Sequence, residues 1–274
     1  MLDNDNKIEY LVVGTVTQDI VEDGLTPGGT VTYSGRIAQA LGCKTAILTS
    51  ARPDYDLSPF LNGIEVHLIP SENNSVFDNI YQGNERIQIL HSRSGDIRAQ
   101  DVPETWHNTP VVHLGPLTNE VEPAMIDLFS NSMVGLTPQG WMRRWGEDGR
   151  IYAQSFPAEQ ELLCKAAATV ISEEDLLDDT MLERYINWAN ILVMTQNYAG
   201  CTVFVDGESY QIPAPMIKLI EPTGAGDIFA AAFFVRLWQT DGDPIKAAEW
   251  ANLVAAHSVT KENLDEKVVA WQAA

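Results

Sequence analysis

The chain has 274 residues, and its 38 acidic side chains against 17 basic ones give a formal net charge of -21 at pH 7. This negative field repels phosphate backbones and anionic lipid, which argues against nucleic-acid and membrane-surface partners. A hydrophobic content of 45% is that of a globular chain with a buried core, which argues against disorder. Three scattered cysteines and a polar, acidic N-terminus indicate a cytoplasmic protein without a disulfide framework.

Strand-like and helix-like runs alternate along most of the chain, which predicts an α/β fold with a mostly parallel central sheet flanked by helices. At this length we expect one domain over 1–274. The predicted strands are 8–13, 44–49, 111–114, 133–137, 169–172, 191–195 and 202–205. The predicted helices are 30–41, 159–166, 181–189 and an apolar helix from 224 to 238.

One stretch breaks this alternation. Between about 64 and 92 the pattern is strand, turn and strand, with 75–81 and 86–91 joined through 82–84 and no helix between them. We therefore predict a small antiparallel β lid inserted in the α/β domain. Such a hairpin either closes over a ligand, forms a dimer edge or is peripheral decoration.

The most informative segment runs from Glu221 to Asp227 with the sequence EPTGAGD. Thr223 is a suitable N-cap, so the helix is expected to start at Gly224. Backbone N–H groups at Gly224, Ala225 and Gly226 then form an anion cradle at the positive end of the helix dipole. Asp227 is suited to accept a proton from an alcohol there. The alternative is a carboxylate that only complements the dipole.

A loop after the strand at 133–137 holds two further candidate contacts, because open α/β sheets place ligand-binding loops at strand ends. These are Gln139 and Arg143, which are interpreted as substrate contacts. The alternative is a surface turn with solvated side chains.

The segment from Thr223 to Asp227, followed by Phe229 and Phe233, resembles the C-terminal signature of the ribokinase-like carbohydrate kinases, the PfkB family. The resemblance covers nearly the whole chain in order. It includes the lid and four further groups of residues: Gly14 with Asp19; Gly28 with Gly29; Thr195, Asn197 and Gly200; and Ala251, Asn252 and Ala255.

This resemblance implies an ATP-dependent kinase that transfers the γ-phosphoryl group to a hydroxyl of a small substrate, with Asp227 as base and the 224–226 amides as anion hole. It implies that the substrate is bound by Asp19, Gly28 and Gly29, and ATP by Thr195, Asn197, Gly200, Thr223 and Asn252. For Asp19 the alternative is a turn residue after a strand.

Three departures from the family pattern stand out. The element that arranges water around Mg²⁺ is replaced, so that Glu174 or Asp175 is expected to hold the metal through water. Glu221 and Pro222 replace a hydrophobic residue and an Asp, and Asn197 stands where the nucleotide loop usually has glycine. Asparagine tolerates the left-handed backbone that such a position requires.

The scarcity of cationic side chains predicts a neutral sugar, polyol or cyclitol as the substrate, since a phosphorylated one would require several arginines or lysines. A nucleoside kinase of the same fold is the nearest alternative. A non-catalytic sugar-binding sensor is the alternative from another class, favoured by the altered metal element. We expect a monomer or a homodimer.

Overall fold

The computed structural model describes residues 7–82, 85–156 and 158–273. The strands are β1 Tyr10–Val13, β2 Thr17–Val21, β3 Gly24–Gly28, β4 Thr45–Ala51, β5 Glu65–Pro70, β6 Ser75–Gln82, β7 Glu85–Ser92, β8 Val111–Leu114, β9 Met133–Leu136, β10 Arg143–Trp145, β11 Ile151–Ala153, β12 Ala168–Ser172, β13 Ile191–Thr195, β14 Cys201–Val205 and β15 Glu208–Ile212. The helices are α1 Thr30–Ala40, α2 Glu159–Lys165, α3 Asp179–Trp188, α4 Ala225–Gln239, α5 Pro244–Ser258 and α6 Leu264–Lys267.

The large sheet has nine strands in the order β15-β14-β13-β12-β9-β8-β1-β4-β5. All neighbours from β13 to β5 run parallel, while β14 and β15 extend the sheet antiparallel. β1, β4 and β8 are buried over their whole length, as strands covered on both faces should be. The predicted mostly parallel α/β sheet is confirmed.

Two apolar layers cover the large sheet. One contains the buried faces of α1, α4 and α5, and the other contains α2, α3 and the 97–129 segment. α4 approaches the sheet very closely at β9, since a Cβ on Gly135 would lie 2.6 Å from the ring of Phe234. This packing fixes the axis of α4 and therefore the position of its first turn. In the described part of the chain no helix is both long and apolar enough to cross a membrane.

The small sheet has four strands in the order β3-β2-β6-β7. β6 and β7 are the hairpin placed by the sequence within 64–92, whereas its tip, Gly83 and Asn84, lies outside the described residues. Two boundaries differ from the prediction. β5 belongs to the large sheet because it pairs with β4, and the β2–β3 hairpin joins the lid because β2 pairs with β6. Short strands such as β2 and β3 give a weak sequence pattern, so their pairing was not predicted.

A buried histidine links three strands of the large sheet. His113 on β8 is hydrogen-bonded through Nδ1 to the Tyr10 hydroxyl on β1 and through Nε2 to Thr137 Oγ1 after β9, both at 2.8 Å. Burial lowers the pKa of His113 to about 3. The imidazole is therefore neutral in the folded protein at ordinary pH.

We expect His113 to make stability fall at mildly acidic pH. Its pKa is lower in the folded chain than the ordinary value of about 6.5, so the unfolded chain takes up the proton first. The contribution of neutral His113 to the free energy of unfolding is complete above pH ~6.5. It is lost as the pH falls from there towards 3, by about 1.4 kcal/mol per pH unit. Urea unfolding of wild type and His113→Gln at pH 7, 6 and 5 measures this loss. If the free energy of unfolding fell equally with pH in the two proteins, the prediction would be contradicted.

Candidate active site

The first turn of α4 is built around a left-handed glycine. Gly224 is the N-cap with φ +80°, and the helix begins at Ala225, so the prediction that Thr223 caps the helix is wrong by one residue. A Cβ on Gly224 would lie 2.3 Å from the Tyr33 ring. Only glycine combines this φ with such close packing, which explains why it replaces a side-chain cap.

One of the three backbone amides predicted to form the anion hole makes a hydrogen bond within the protein. Ala225 N donates to Pro222 O at 3.1 Å, so this amide closes a turn and is not available as the third member of the anion hole. Among the described residues the amides of Gly224 and Gly226 have no acceptor. A Cβ on Gly226 would meet no atom within 4 Å, so this side of the Gly226 Cα faces open space.

Asp227 lies half-buried in the same turn. Its backbone oxygen accepts a hydrogen bond from Ser34 Oγ at 3.1 Å, which ties the start of α4 to the start of α1. Burial raises the pKa of the nearby Tyr33 hydroxyl, and the charges of Glu221, Asp19 and Asp227 raise it further. The structure thus brings these three carboxylates together around one buried tyrosine.

Asp19 lies on β2 of the lid, against the strand that leads into α1. A Cβ on Gly28 would lie 2.6 Å from Asp19 Oδ2, and one on Gly29, where φ is +91°, would lie 2.7 Å from Thr15 O. These glycines therefore let the backbone pack against Asp19 and turn into α1. The space beside Gly28 is taken by this chain's own side chain, which differs from the expectation that a polyol approaches the glycine backbone there.

Sequence reasoning missed a polar group beside Asp19. Tyr55 is hydrogen-bonded to Gln18, and burial together with the Asp19 charge raises the pKa of its hydroxyl to about 12. Asn74 Nδ2 donates to Gln18 Oε1 at 2.9 Å. These residues come from β2, the loop after β4 and the loop before β6, so no local sequence pattern joins them.

Gln139 and Arg143 are both held by other side chains. Gln139 Nε2 donates to Asp175 Oδ1 at 2.9 Å. Arg143 is buried at the start of β10, and its Nη2 donates to Gln88 Oε1 of the lid at 2.9 Å. Arg143 therefore links the lid to the loop after β9, and it is not a solvated surface arginine.

The loop after β13 has the backbone that its sequence requires. Asn197 has φ +51°, in the left-handed region expected for it, and Gly200 has φ +99°. A Cβ on Gly200 would lie 2.1 Å from Ile212 O. Thr195 Oγ1 at the end of β13 donates to Ile171 O at 3.2 Å.

Asn252 lies inside the protein and is only 5% exposed. Its Nδ2 donates to Ile212 O at 3.0 Å, the same carbonyl that Gly200 approaches. The carboxamide nitrogen that was expected to contact a nucleotide therefore positions the end of β15 beside the loop at 197–200.

The two candidate metal residues differ in what their carboxylates contact. Asp175 Oδ2 accepts from Ser172 N at 3.0 Å, and its Oδ1 accepts from Gln139, so both oxygens are used within the protein. Glu174 is exposed and lies beside the loop at 197–200, where its Oε1 accepts from Asn197 Nδ2 at 3.2 Å. No cluster of three or more His, Cys, Asp or Glu side chains suited to a metal occurs among residues 7–82, 85–156 and 158–273. Of the two, Glu174 fits a water-bridged metal better.

Comparison with known proteins gives one family match and several relatives. The model of the pfkB family carbohydrate kinases matches residues 157–270. A cytidine kinase from Thermococcus kodakarensis is 24% identical over 290 residues, covering 93% of this chain and 97% of that protein. A 5-dehydro-2-deoxygluconokinase from Clostridium tetani is 35% identical over 99 residues, covering 34% of this chain and 29% of that protein.

Solved structures share the fold over nearly the whole chain. A pyrophosphate-dependent kinase of the ribokinase family, solved with a pyrophosphate analog and myo-inositol, has a TM-score of 0.82 at 21% identity and covers 97% of this chain and 100% of that chain. The ribokinase of Arabidopsis thaliana, solved with ribose and ATP, has a TM-score of 0.71 at 15% identity, covering 97% and 99%.

The match over residues 157–270 and the named kinase relatives indicate a phosphotransferase with an alcohol group as its acceptor, and the fold is that of the solved ribokinase-family structures. The resemblance to the ribokinase-like (PfkB) carbohydrate kinases, drawn from the 223–227 signature, is thereby confirmed.

Gly226→Ala tests whether the open side of this turn is functional. The added methyl enters free space and improves helix propensity by up to about 1 kcal/mol, so thermal stability should not fall. If a phosphoryl group binds there, turnover should fall about 10²-fold, the loss typical of an impaired anion hole.

Gly224→Ala is the matched comparison. Its φ of +80° and its contact with Tyr33 forbid a Cβ, so thermal unfolding should show lost stability as well as lost activity. Full activity in a stable Gly226→Ala protein would exclude this face of the turn from phosphate binding.

Proposed function

We propose that the chain transfers the γ-phosphoryl group of ATP to a hydroxyl of a small neutral sugar, polyol or cyclitol. The observation that carries the proposal is the first turn of α4, where the Asp227 carboxylate lies one residue after Gly226, whose N–H has no acceptor among the described residues and whose Cα faces open space. A base for the attacking hydroxyl and a donor for the phosphoryl oxygens are thus held on one rigid element.

In the proposed reaction Asp227 takes the proton of the acceptor hydroxyl. The acceptor oxygen forms a bond to the γ-phosphorus, the bond to the bridging oxygen breaks, and ADP leaves with the electron pair. The Gly224 and Gly226 amides and the positive end of the α4 dipole stabilise the negative charge on the phosphoryl oxygens. The Ala225 amide supports this turn through Pro222 O instead of contacting phosphate.

The donor is proposed to bind along the loop after β13 and the start of α4, beside Thr195, Asn197, Gly200 and Thr223, with Asn252 supporting the end of β15 from within. Tyr198 is 95% exposed on this loop and gives a purine ring an apolar surface. Mg²⁺ would be held through water by Glu174 and would neutralise phosphate charge. This apolar surface favours ATP over pyrophosphate, the donor of one structural neighbour.

The acceptor is proposed to bind between the lid and the start of α1, with Asp19 holding a hydroxyl and Tyr55 beside it. Arg143, anchored to Gln88, and Gln139 line the other side. A neutral acceptor is supported by the acidic surroundings of Tyr33 and by the neighbour solved with myo-inositol. A monomer or a homodimer remains the expected oligomeric state.

A nucleoside acceptor is the second candidate. It is favoured by one observation, the match to a cytidine kinase over 93% of this chain. A sugar-binding sensor without turnover is the third outcome, because both carboxylate oxygens of Asp175 accept hydrogen bonds from the protein. A panel of polyols, sugars, cyclitols and nucleosides with Mg²⁺ and either ATP or pyrophosphate separates these possibilities, and phosphorylated product from a neutral sugar or cyclitol with ATP is the result expected.

Asp227→Asn keeps the shape of the side chain and removes its basicity. We expect kcat to fall at least about 10²-fold, the contribution of general base catalysis, with little change in the KM of either substrate. Steady-state kinetics on the acceptor found in the panel measures this.

Asp19→Asn is the matched control, because it removes a carboxylate from the same cluster without touching α4. It should raise the acceptor KM more than the ATP KM. Wild-type kcat in Asp227→Asn would remove this residue from the mechanism.

A further inference from the structure

A lysine is buried directly behind the proposed anion hole. Lys267, at the end of α6, has a side chain only 1% exposed. Its Nζ donates to Glu221 O at 2.9 Å, to Thr223 O at 2.7 Å and to Glu221 Oε2. The three N–H groups of the ammonium are matched by three oxygens, which is what a buried charge requires to be tolerated.

The oxygens that bind Lys267 belong to the backbone that enters α4. Glu221 contributes both its carbonyl and its carboxylate, and its second carboxylate oxygen accepts from Thr223 N at 2.8 Å. Lys267 and Glu221 therefore fix the chain from 221 to 223 from two directions.

This arrangement also sets the direction of an amide in the anion hole. The Thr223 carbonyl and the Gly224 N–H belong to one trans peptide unit, so they point in opposite directions. Because the carbonyl points at Lys267, the Gly224 N–H points away from Lys267.

The three oxygens that accept from Nζ are also of the kind that bind a metal cation. Two backbone carbonyls and a carboxylate are the hard oxygen ligands that alkali and alkaline-earth ions select. Here the position at their centre is filled by an ammonium group covalently tied to the chain.

We propose that Lys267 is a positioning residue that acts as a built-in monovalent cation: it orients the 221–224 backbone for phosphoryl transfer and makes free alkali ions unnecessary. The inference rests on the proposed kinase function for its activity readout. It predicts a cation dependence that the wild-type chain lacks and that appears only when the lysine side chain is removed.

The test compares wild type, Lys267→Ala and the control Lys261→Ala, an exposed lysine of the preceding loop, in buffers containing potassium, ammonium or choline chloride at equal ionic strength. Wild type and Lys261→Ala should have the same kcat in all three salts. In choline, Lys267→Ala should lose kcat about 10²-fold, as expected for a displaced catalytic element, with a smaller change in acceptor KM. Potassium or ammonium should restore at least a tenth of the wild-type rate.

Thermal unfolding in the same salts is a readout that needs no turnover. Potassium should raise the melting temperature of Lys267→Ala relative to choline and leave wild type unchanged, since a ligand that binds only the folded variant stabilises it. If no acceptor is phosphorylated by wild type, the proposed function fails, while this melting series still decides whether the lysine replaces a cation.

Three results would overturn the proposal. They are activation of wild type by potassium over choline, full activity of Lys267→Ala in choline, and a folded Lys267→Ala whose lost activity no cation restores. Should that variant not fold, the longer apolar Lys267→Met replaces it in the choline assay, and the wild-type salt series remains decisive.

Discussion

The proposed active site depends on how the backbone turns into α4. Gly224 adopts a left-handed conformation under the Tyr33 ring, and Lys267 holds the two carbonyls just before it. The glycine permits the turn, and by our proposal the hydrogen bonds from Lys267 set the direction of the peptide units that enter it. In the proposed mechanism this helix start supplies amides and a carboxylate held by the fold itself, as electrostatic preorganisation requires.

The rest of the fold brings groups to this point. α1 and α4 pack in the same apolar layer on one face of the large sheet, and the hydrogen bond from Ser34 Oγ to Asp227 O joins the second turn of α1 to the first turn of α4. β2 and β3 place Asp19 across from that junction, and Gly28 is small enough to let them do so. The proposed donor loop is set separately, by Gly200 and Asn252 meeting at the Ile212 carbonyl.

The sequence predicted the elements whose signals are local. The central strands, the long apolar helix and the 221–227 segment follow from periodicity and helix-start chemistry, and the left-handed backbone of Asn197 follows from its residue type. What it could not predict depends on contacts distant along the chain. Lys267 is separated from Glu221 by 46 residues and lies in a four-residue helix with no distinctive pattern.

Two further differences between the sequence prediction and the structure also depend on contacts distant along the chain. Tyr55 meets Gln18 only after β2 pairs into the lid, and β5 joins the large sheet by pairing with β4, which its own sequence does not specify. The Ala225 amide differs from the prediction for a local reason, because the glycine turn directs it to Pro222 O and a helix start uses some of its own donors.

A crystal structure of the protein with a non-hydrolysable ATP analogue and a bound polyol tests the central claim most directly. The account predicts the terminal phosphate within about 3 Å of the Gly226 and Gly224 nitrogens, with the acceptor hydroxyl facing the Asp227 carboxylate. A phosphate bound away from this turn, or a turn covered by the protein's own side chains in that complex, would contradict it.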